Sequence, residues 1–387
     1  MGAHAPDGAG RDIVGSRRPV RAAELRLAGR PLPTVGRARI YTCGITPYDV
    51  THLGHAATFV WADTLAAVLR AAGVDVVGCR NVTDIDDVLT AAAGARGREL
   101  GAFALYQEYL FDKDMTALQV SRPAHEPRAR HHVTGVQQLA AALLAADRGY
   151  LRDGHVYFRG AGVPAAAGLT ADEALARATE YGDDPGDPRR EDPFDVPVWR
   201  PSTGDEPAWP SPWGPGRPGW HAECAAMALA VLGPAVDVLA GGADLRFPHH
   251  AYQVAMVQAV TSVSPFARAT LHVGTVRRDG AKMAKSTGNL TLVADLLRDH
   301  SPAAVRLLLL DRPWADDWDY QPAALDAAAG RLARLYGAAG RPGGGGTGPE
   351  AVLAALLADL DVPRAVEVAM EQGGDAARLL LRLLALT

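Results

Sequence analysis

The spacing of apolar residues divides the chain into elements before any chemistry is considered. Residues 38–42 form a short apolar run, and after a turn Leu53, Ala56, Ala57, Val60, Leu65, Val68 and Leu69 recur at helical spacing as far as Gly73. This predicts a strand, a turn and an amphipathic helix. The apolar run 74–79 predicts a second strand, so the segment reads as a βαβ unit. Helical spacing returns at 103–118 and 133–148, followed by a small β-like piece at 150–159 and a Pro/Asp/Arg-rich loop at 182–195. A second half then follows: helix at 220–232, buried strand at 236–240, turn at 241–245, a helix starting at Pro248, and a strand-like run at 271–276. Two Leu/Ala-rich helical segments, a Gly-rich linker at 340–348 and a last helical stretch to Thr387 complete the chain. Strands alternating with helices on both sides of a long insertion predict an α/β fold: a doubly wound parallel sheet with a helical insertion and a helical C-terminal region. The expected divisions are a 1–37 tail, half-cores at 38–94 and 206–290, an insertion at 95–205 and a helical region at 291–387.

Candidate chemistry gathers at the ends of the expected strands. His52-Leu-Gly-His55 opens the first helix, with Thr51 where an N-cap belongs. Two imidazoles beside unpaired N–H groups at the positive end of a helix make a place for phosphates. Gly54 between them leaves room for a base or ribose to approach the backbone. Far downstream, Lys282-Met-Ala-Lys-Ser286 lies in a polar loop between Gly280 and Gly288, and Gly216-Arg-Pro-Gly-Trp-His-Ala-Glu-Cys224 and Phe247-Pro-His-His250 flank the second-half strand.

His-x-Gly-His with Lys-Met-x-Lys-Ser resembles the ATP-binding pair of class I aminoacyl-tRNA synthetases. Cys43-Gly-Ile-Thr-Pro-Tyr-Asp49, Gly-Trp-His-x-Glu-Cys and Phe-Pro-His-His resemble the cysteinyl branch, and their wording is most similar to the cysteine ligases of mycothiol biosynthesis. The resemblance spans roughly residues 25–330. It implies that His52, His55, Lys282 and Lys285 stabilise phosphate charge. ATP, with Mg²⁺, and the cysteinyl adenylate are expected against Cys43, Gly44, Ile45, Thr46, Gly54, Thr58, Asn81, Val82, Thr83, Trp220, Gly242, Ala243, Asp244, Val276 and Ser286. It further implies one Zn²⁺ on Cys43, Cys224 and His249. Cys43 ends a strand and His249 starts a helix in the matching place of the second half, so both face one crevice if the halves pack as expected; two thiolates and an imidazole suit zinc. The tRNA-charging relatives have a fourth, Glu ligand where this chain has Gln253, so an open position is left for a substrate thiolate. The implied partners are L-cysteine, ATP and glucosaminyl-inositol.

The chain departs from the family's wording in places. Glu180-Tyr-Gly-Asp-Asp-Pro185 stands where the ligases have Glu-Arg-Gly-Gly-Asp-Pro, and Ala251 and Ala284 replace a glutamate and a serine. These changes keep a second reading open, delivery of cysteine to a different amine. Asp244 admits two roles, receiving ribose hydroxyls or an ammonium, or capping a helix. Asp86 and Asp87 read as caps of the next helix, and Cys79 as a buried strand residue.

Composition narrows the field. A hydrophobic content of 48% with 21% charged residues and a net charge of −5 is ordinary for a globular protein and argues against a broad nucleic-acid surface. The roughly 100 residues after Ser286 carry no basic run or aromatic platform, which disfavours a tRNA ligase. Three cysteines form no disulfide framework, and no apolar run reaches membrane-spanning length. A cytoplasmic monomer is expected, with no membrane or tRNA partner.

Overall fold

The computed structural model describes residues 25–48, 51–204, 206–283, 288–343 and 346–387. Lys285, Ser286 and Ala284, and most of the 1–37 tail, lie outside the described residues.

Four parallel strands form the central sheet, in the order Ala267–Val273, Val236–Gly242, Arg37–Ile45, Asp75–Val82. The first half of the chain builds outward in one direction from Arg37–Ile45, and the second half in the other from Val236–Gly242. The order therefore reverses between these two strands, where Ile40, Tyr41 and Thr42 pair with Val238, Leu239 and Ala240. Ligands of open α/β sheets bind at the carboxyl ends of the strands beside such a reversal. The doubly wound parallel sheet expected from the apolar pattern is the fold observed.

The helix Leu53–Ala71 crosses between the first two strands and buries Leu53, Ala56, Ala57, Val60, Leu65, Val68 and Leu69, the residues its spacing singled out. Its cap differs from expectation. His52, not Thr51, is the N-cap: its backbone is extended and its side chain accepts from the Gly54 N–H. Further on, Asp86 caps the helix Asp87–Ala95 through the Val88 N–H. Asp87 is not a cap but an anchor, taking Arg217 Nε at 2.9 Å and Arg200 Nη1 at 2.8 Å from the insertion.

The insertion carries the helices Leu100–Ala117 and Val133–Ala145, then an antiparallel sheet ordered Gly149–Arg152, His155–Phe158, Val196–Pro201, Gly216–Pro218, whose last strand lies past the expected boundary at residue 205. The last of these strands delivers the chain to the helix Trp220–Leu232. At the other end, the final stretch is three helices, Gly348–Leu357, Val362–Gln372 and Gly374–Leu383. Asp361 caps the second, and Gly373 at φ +64° breaks it from the third. Their Val352, Leu356, Val366, Ala377 and Leu380 share one apolar core with the first crossover helix. Among the described residues, no helix is long and apolar enough to cross a membrane.

Candidate active site

The carboxyl ends of the two central strands hold most of the residues singled out in sequence. The register between Arg37–Ile45 and Asp75–Val82 is irregular between Thr42 and Ile45, which takes Cys43 and Gly44 out of the regular ladder. Gly44 is required there, because a Cβ on it would lie 1.8 Å from the Asn81 carbonyl oxygen. Gly44→Ala is therefore expected to force strand and turn apart and to cost at least about 1–3 kcal/mol. A urea midpoint equal to that of the parent chain would contradict this close approach.

Beyond the turn, the His52 and His55 rings pack against each other at 31°, with centroids 3.9 Å apart. Burial, with His55 and Lys282 nearby, holds the His52 pKa down at about 3. In the free protein His52 is thus a neutral imidazole, a hydrogen-bonding group rather than a fixed charge. The turn is tied to the segment that follows the Lys-Met-Ala-Lys-Ser loop: Leu53 N–H donates to Thr291 O at 2.9 Å, and Val293 N–H to Thr51 O at 3.1 Å. Met283, just before the tip of that loop, is buried.

Lys282 reaches across the crevice to Asp244, Nζ to Oδ2 at 2.9 Å. Burial pulls the ammonium's pKa down, but the Asp244 carboxylate more than offsets it and the net shift is upward. Of the two roles weighed in sequence, Asp244 does not cap a helix: its carboxylate holds Lys282. The Tyr181 hydroxyl also lies 3.4 Å from Lys282 Nζ, so the departure from the family wording meets the nucleotide loop. Asp183, the other departure, pairs with Arg190. Thr46 and Thr83 share a hydroxyl hydrogen bond of 2.7 Å, and the Gly242 backbone lies beside Thr58 and Asp244. Ala243 begins the short turn after the strand, and Val276 lies beside Gly54.

On the other side of the central strand end, Cys43, Cys224 and His249 come together, all buried, with one possible ligand atom of each within 4.8 Å of the others. Three elements supply them: the end of a strand, the first turns of Trp220–Leu232 and the first residue of His249–Thr261. Burial pushes the Cys43 thiol well up, and the neighbouring Cys224 adds to this. Burial likewise holds His249 neutral, assisted by His221 and His250. Two deprotonatable sulfurs and a neutral imidazole in a buried pocket fit a soft or borderline divalent metal, and zinc among these best. Gln253 stands fully buried at the expected fourth position. Its amide donates to Cys224 O at 3.4 Å, and its Oε1 accepts from the Cys43 thiol at 3.7 Å. Cys79, by contrast, is a buried strand residue outside this cluster, its pKa pushed up to about 12 by burial.

Two neighbours steady the His249 ring. Trp220 stacks on His249 with centroids 4.2 Å apart, and His221 Nδ1 lies 3.0 Å from His249 Nδ1. A hydrogen bond to the second ring nitrogen is how a ligating histidine keeps its tautomer and orientation. His221 was legible only as part of the Trp-His pair inside its motif.

The crevice is rich in neutral imidazoles, since burial also holds His272 at about 4. For His52 and His272 the unfolded chain binds protons below about pH 6.5 while the folded chain does not. Stability is therefore expected to be flat above that pH and to fall as pH drops toward 4. Urea midpoints at pH 7.5 and 5.0 test the sign. His272→Gln should flatten the slope, and an unchanged slope would discount this residue.

A strand reversal carrying a histidine-lined helix start, a facing lysine loop and a buried metal-type cluster defines the nucleotide-activating core of a class I synthetase. The chain matches the family described as "tRNA synthetases class I (C) catalytic domain" over residues 32–330, and it belongs to that family. Within it, the chain is a member of a family of ligases. It is 41% identical over 367 residues to a protein of Frankia casuarinae, spanning 92% of this chain and 78% of that one. It is 42% identical over 371 residues to one of Mycolicibacterium vanbaalenii, 90% and 85% of the two chains, and 44% over 341 residues to one of Kribbella flavida, 86% and 83%. All three bear the name L-cysteine:1D-myo-inositol 2-amino-2-deoxy-alpha-D-glucopyranoside ligase. Among solved structures, Mycobacterium tuberculosis methionyl-tRNA synthetase in complex with methionyl-adenylate matches with a TM-score of 0.62 at 19% identity, over 91% of this chain and 82% of that one. A LeuRS–tRNA–LeuAMS complex from Agrobacterium radiobacter gives 0.60 at 12%, over 91% and 84%. At such identities the likeness speaks for the fold alone.

Proposed function

We propose that this chain joins L-cysteine to the amine of glucosaminyl-inositol, the 2-amino-2-deoxyglucoside of 1D-myo-inositol, in two steps driven by Mg-ATP. The observation that carries the reading is the buried Cys43, Cys224 and His249 cluster at the strand reversal, in the same crevice as the His52–His55 turn and Lys282. In the first step a carboxylate oxygen of cysteine attacks the α-phosphorus, the bond to the bridging oxygen breaks, and pyrophosphate leaves with that electron pair. His52 and His55 donate hydrogen bonds to the phosphate oxygens. Lys282, on leaving Asp244, and Lys285 neutralise charge on the departing pyrophosphate. In the second step the acceptor amine attacks the cysteinyl carbonyl, an amide forms, AMP departs and the amine gives up a proton.

Cys43, Cys224 and His249 would hold a zinc ion, which, when bound, supplies a soft Lewis-acid site for a thiolate and so favours cysteine over serine. Trp220 and His221 hold the His249 ring in place, and Gln253 stops short of ligation because its amide is engaged by its neighbours. Burial at this end excludes water from the adenylate. The parts of the site thus contribute mainly position and charge.

Purified protein given cysteine and Mg-ATP tests the reading by AMP release with glucosaminyl-inositol, with bulk tRNA or with no acceptor. Release that needs glucosaminyl-inositol and yields the matching amide supports it. Dependence on tRNA overturns it. Pyrophosphate exchange into ATP without turnover on either acceptor would leave the activation step standing and point to another amine. One observation favours that second reading: Tyr181, where the ligase motif has arginine, places its hydroxyl on Lys282.

A further inference from the structure

Among the ligand-type sulfurs, Cys224 and Cys43 have unlike surroundings. The Cys43 thiol faces an acceptor, Gln253 Oε1, whose orientation is set by the bond from its own amide to Cys224 O. Cys224 Sγ faces a donor: Asn81 Nδ2, at 3.4 Å. The Asn81 side chain is not free to turn, because its Oδ1 accepts from Gly44 N–H at 2.9 Å. With the oxygen committed to the glycine, the amino group must face the sulfur, and the residue is only 2% exposed. Resemblance placed Asn81 beside the adenylate, yet its carboxamide is spent inside the protein, one end on the nucleotide-binding turn and the other on a sulfur.

We propose that Asn81 is a positioning residue for the Cys224 thiolate: it fixes the sulfur against the metal position, draws off part of its charge through the N–H···S bond, and locks that sulfur to the Gly44 turn. This rests on the metal reading above. An N–H donor to a thiolate lowers the energy of the sulfur lone pair, and outer-shell partners of this kind orient ligands and tune metal sites. With Cys224 Sγ accepting from the Asn81 amide, while the Cys43 thiol faces an acceptor, the N–H···S bond lowers the negative charge of the ligand set, which would leave the metal position more electrophilic toward a substrate thiolate. The same carboxamide links the cysteine-binding end of the crevice to its nucleotide end through two hydrogen bonds.

Cobalt-substituted protein tests this with a readout independent of turnover, the thiolate-to-cobalt charge-transfer absorption. Asn81→Asp keeps the acceptor for Gly44 N–H but sets a carboxylate against the sulfur, whereas Asn81→Ser is too short to reach either partner. Both variants should move the charge-transfer band to lower energy at unchanged intensity, since the number of thiolates is the same. Asn81→Ser should also yield its metal to a chelator about 10–100-fold faster than the parent. Bands that stay in place in both folded variants, with parental release rates, would overturn the inference and leave the metal reading intact. No thiolate band in the parent protein would remove both.

Discussion

Cys224→Ser is expected to abolish the proposed zinc binding and to lower cysteine-dependent pyrophosphate exchange by more than the roughly 10–100-fold that loss of an outer-shell partner costs. This is expected because a serine hydroxyl is a harder donor that stays protonated near neutral pH, so two ligands of the three remain. The pocket would then hold Cys43 and His249 with nothing to complete it. The serine variant keeps the volume of a buried residue, so the fold should persist and the loss should be of metal and activity, not of protein. Metal analysis after dialysis and exchange kinetics measured on one preparation give the test. A variant that retains zinc and parental exchange would remove Cys224 from the site. Cys79→Ser supplies the contrast, since that thiol stands apart from the cluster and its variant should keep its zinc.

Arg306→Met is expected to cost stability more than any surface change, by about 3–5 kcal/mol. The Arg306 side chain is fully enclosed and joins three regions: Nη2 to Asp63 on the first crossover helix at 3.0 Å, Nη1 to Leu118 O at 2.7 Å, and Nε to Leu384 O at 2.8 Å near the C-terminus. Methionine fills the space but leaves Asp63 Oδ2 and two carbonyl oxygens without their donor, while Asp63 Oδ1 keeps only the Ser121 N–H at 3.1 Å. Arg306→Met combined with Asp63→Leu should regain part of the loss, because the stranded charge is then gone. A urea midpoint for the single variant close to the parental one would show that the C-terminal helices do not depend on this guanidinium. Since these helices share the core of the nucleotide fold, the variant should unfold the chain as one unit.

Much of this arrangement was legible along the chain, for local reasons. The helices Leu53–Ala71 and Trp220–Leu232 follow from apolar spacing and from Gly73 and Gly233 at their ends. The sheet follows from strand and helix alternating on both sides of an insertion. Local competition decided where the reading slipped. Thr51 is the commoner capping residue, but the His52 ring reaches the Gly54 N–H first, because Gly54 offers no side chain in the way. Asp87 stands where an acid suits a helix start, yet two arginines from the insertion claim it, and neither is within a hundred residues in sequence. The closing helices read as one stretch because a positive-φ glycine leaves no mark on apolar spacing.

By itself the sequence determined the elements, their α/β order, the residue types able to bind phosphate and metal, and the family, since these depend on spacing and side-chain chemistry within short windows. Tertiary structure alone decided which of those residues meet. Cys43, Cys224 and His249 are separated by some 180 and 25 residues, and only the reversal of strand order brings three element ends to one point. It also decided what each polar group does with its partners: Asp244 holds Lys282, Tyr181 covers it, and Asn81 ties the Cys224 sulfur to the Gly44 turn. The physical reason is that a side chain's hydrogen bonds and charge state are set by neighbours in space, and burial, which holds the crevice histidines neutral, is a property of the packed chain.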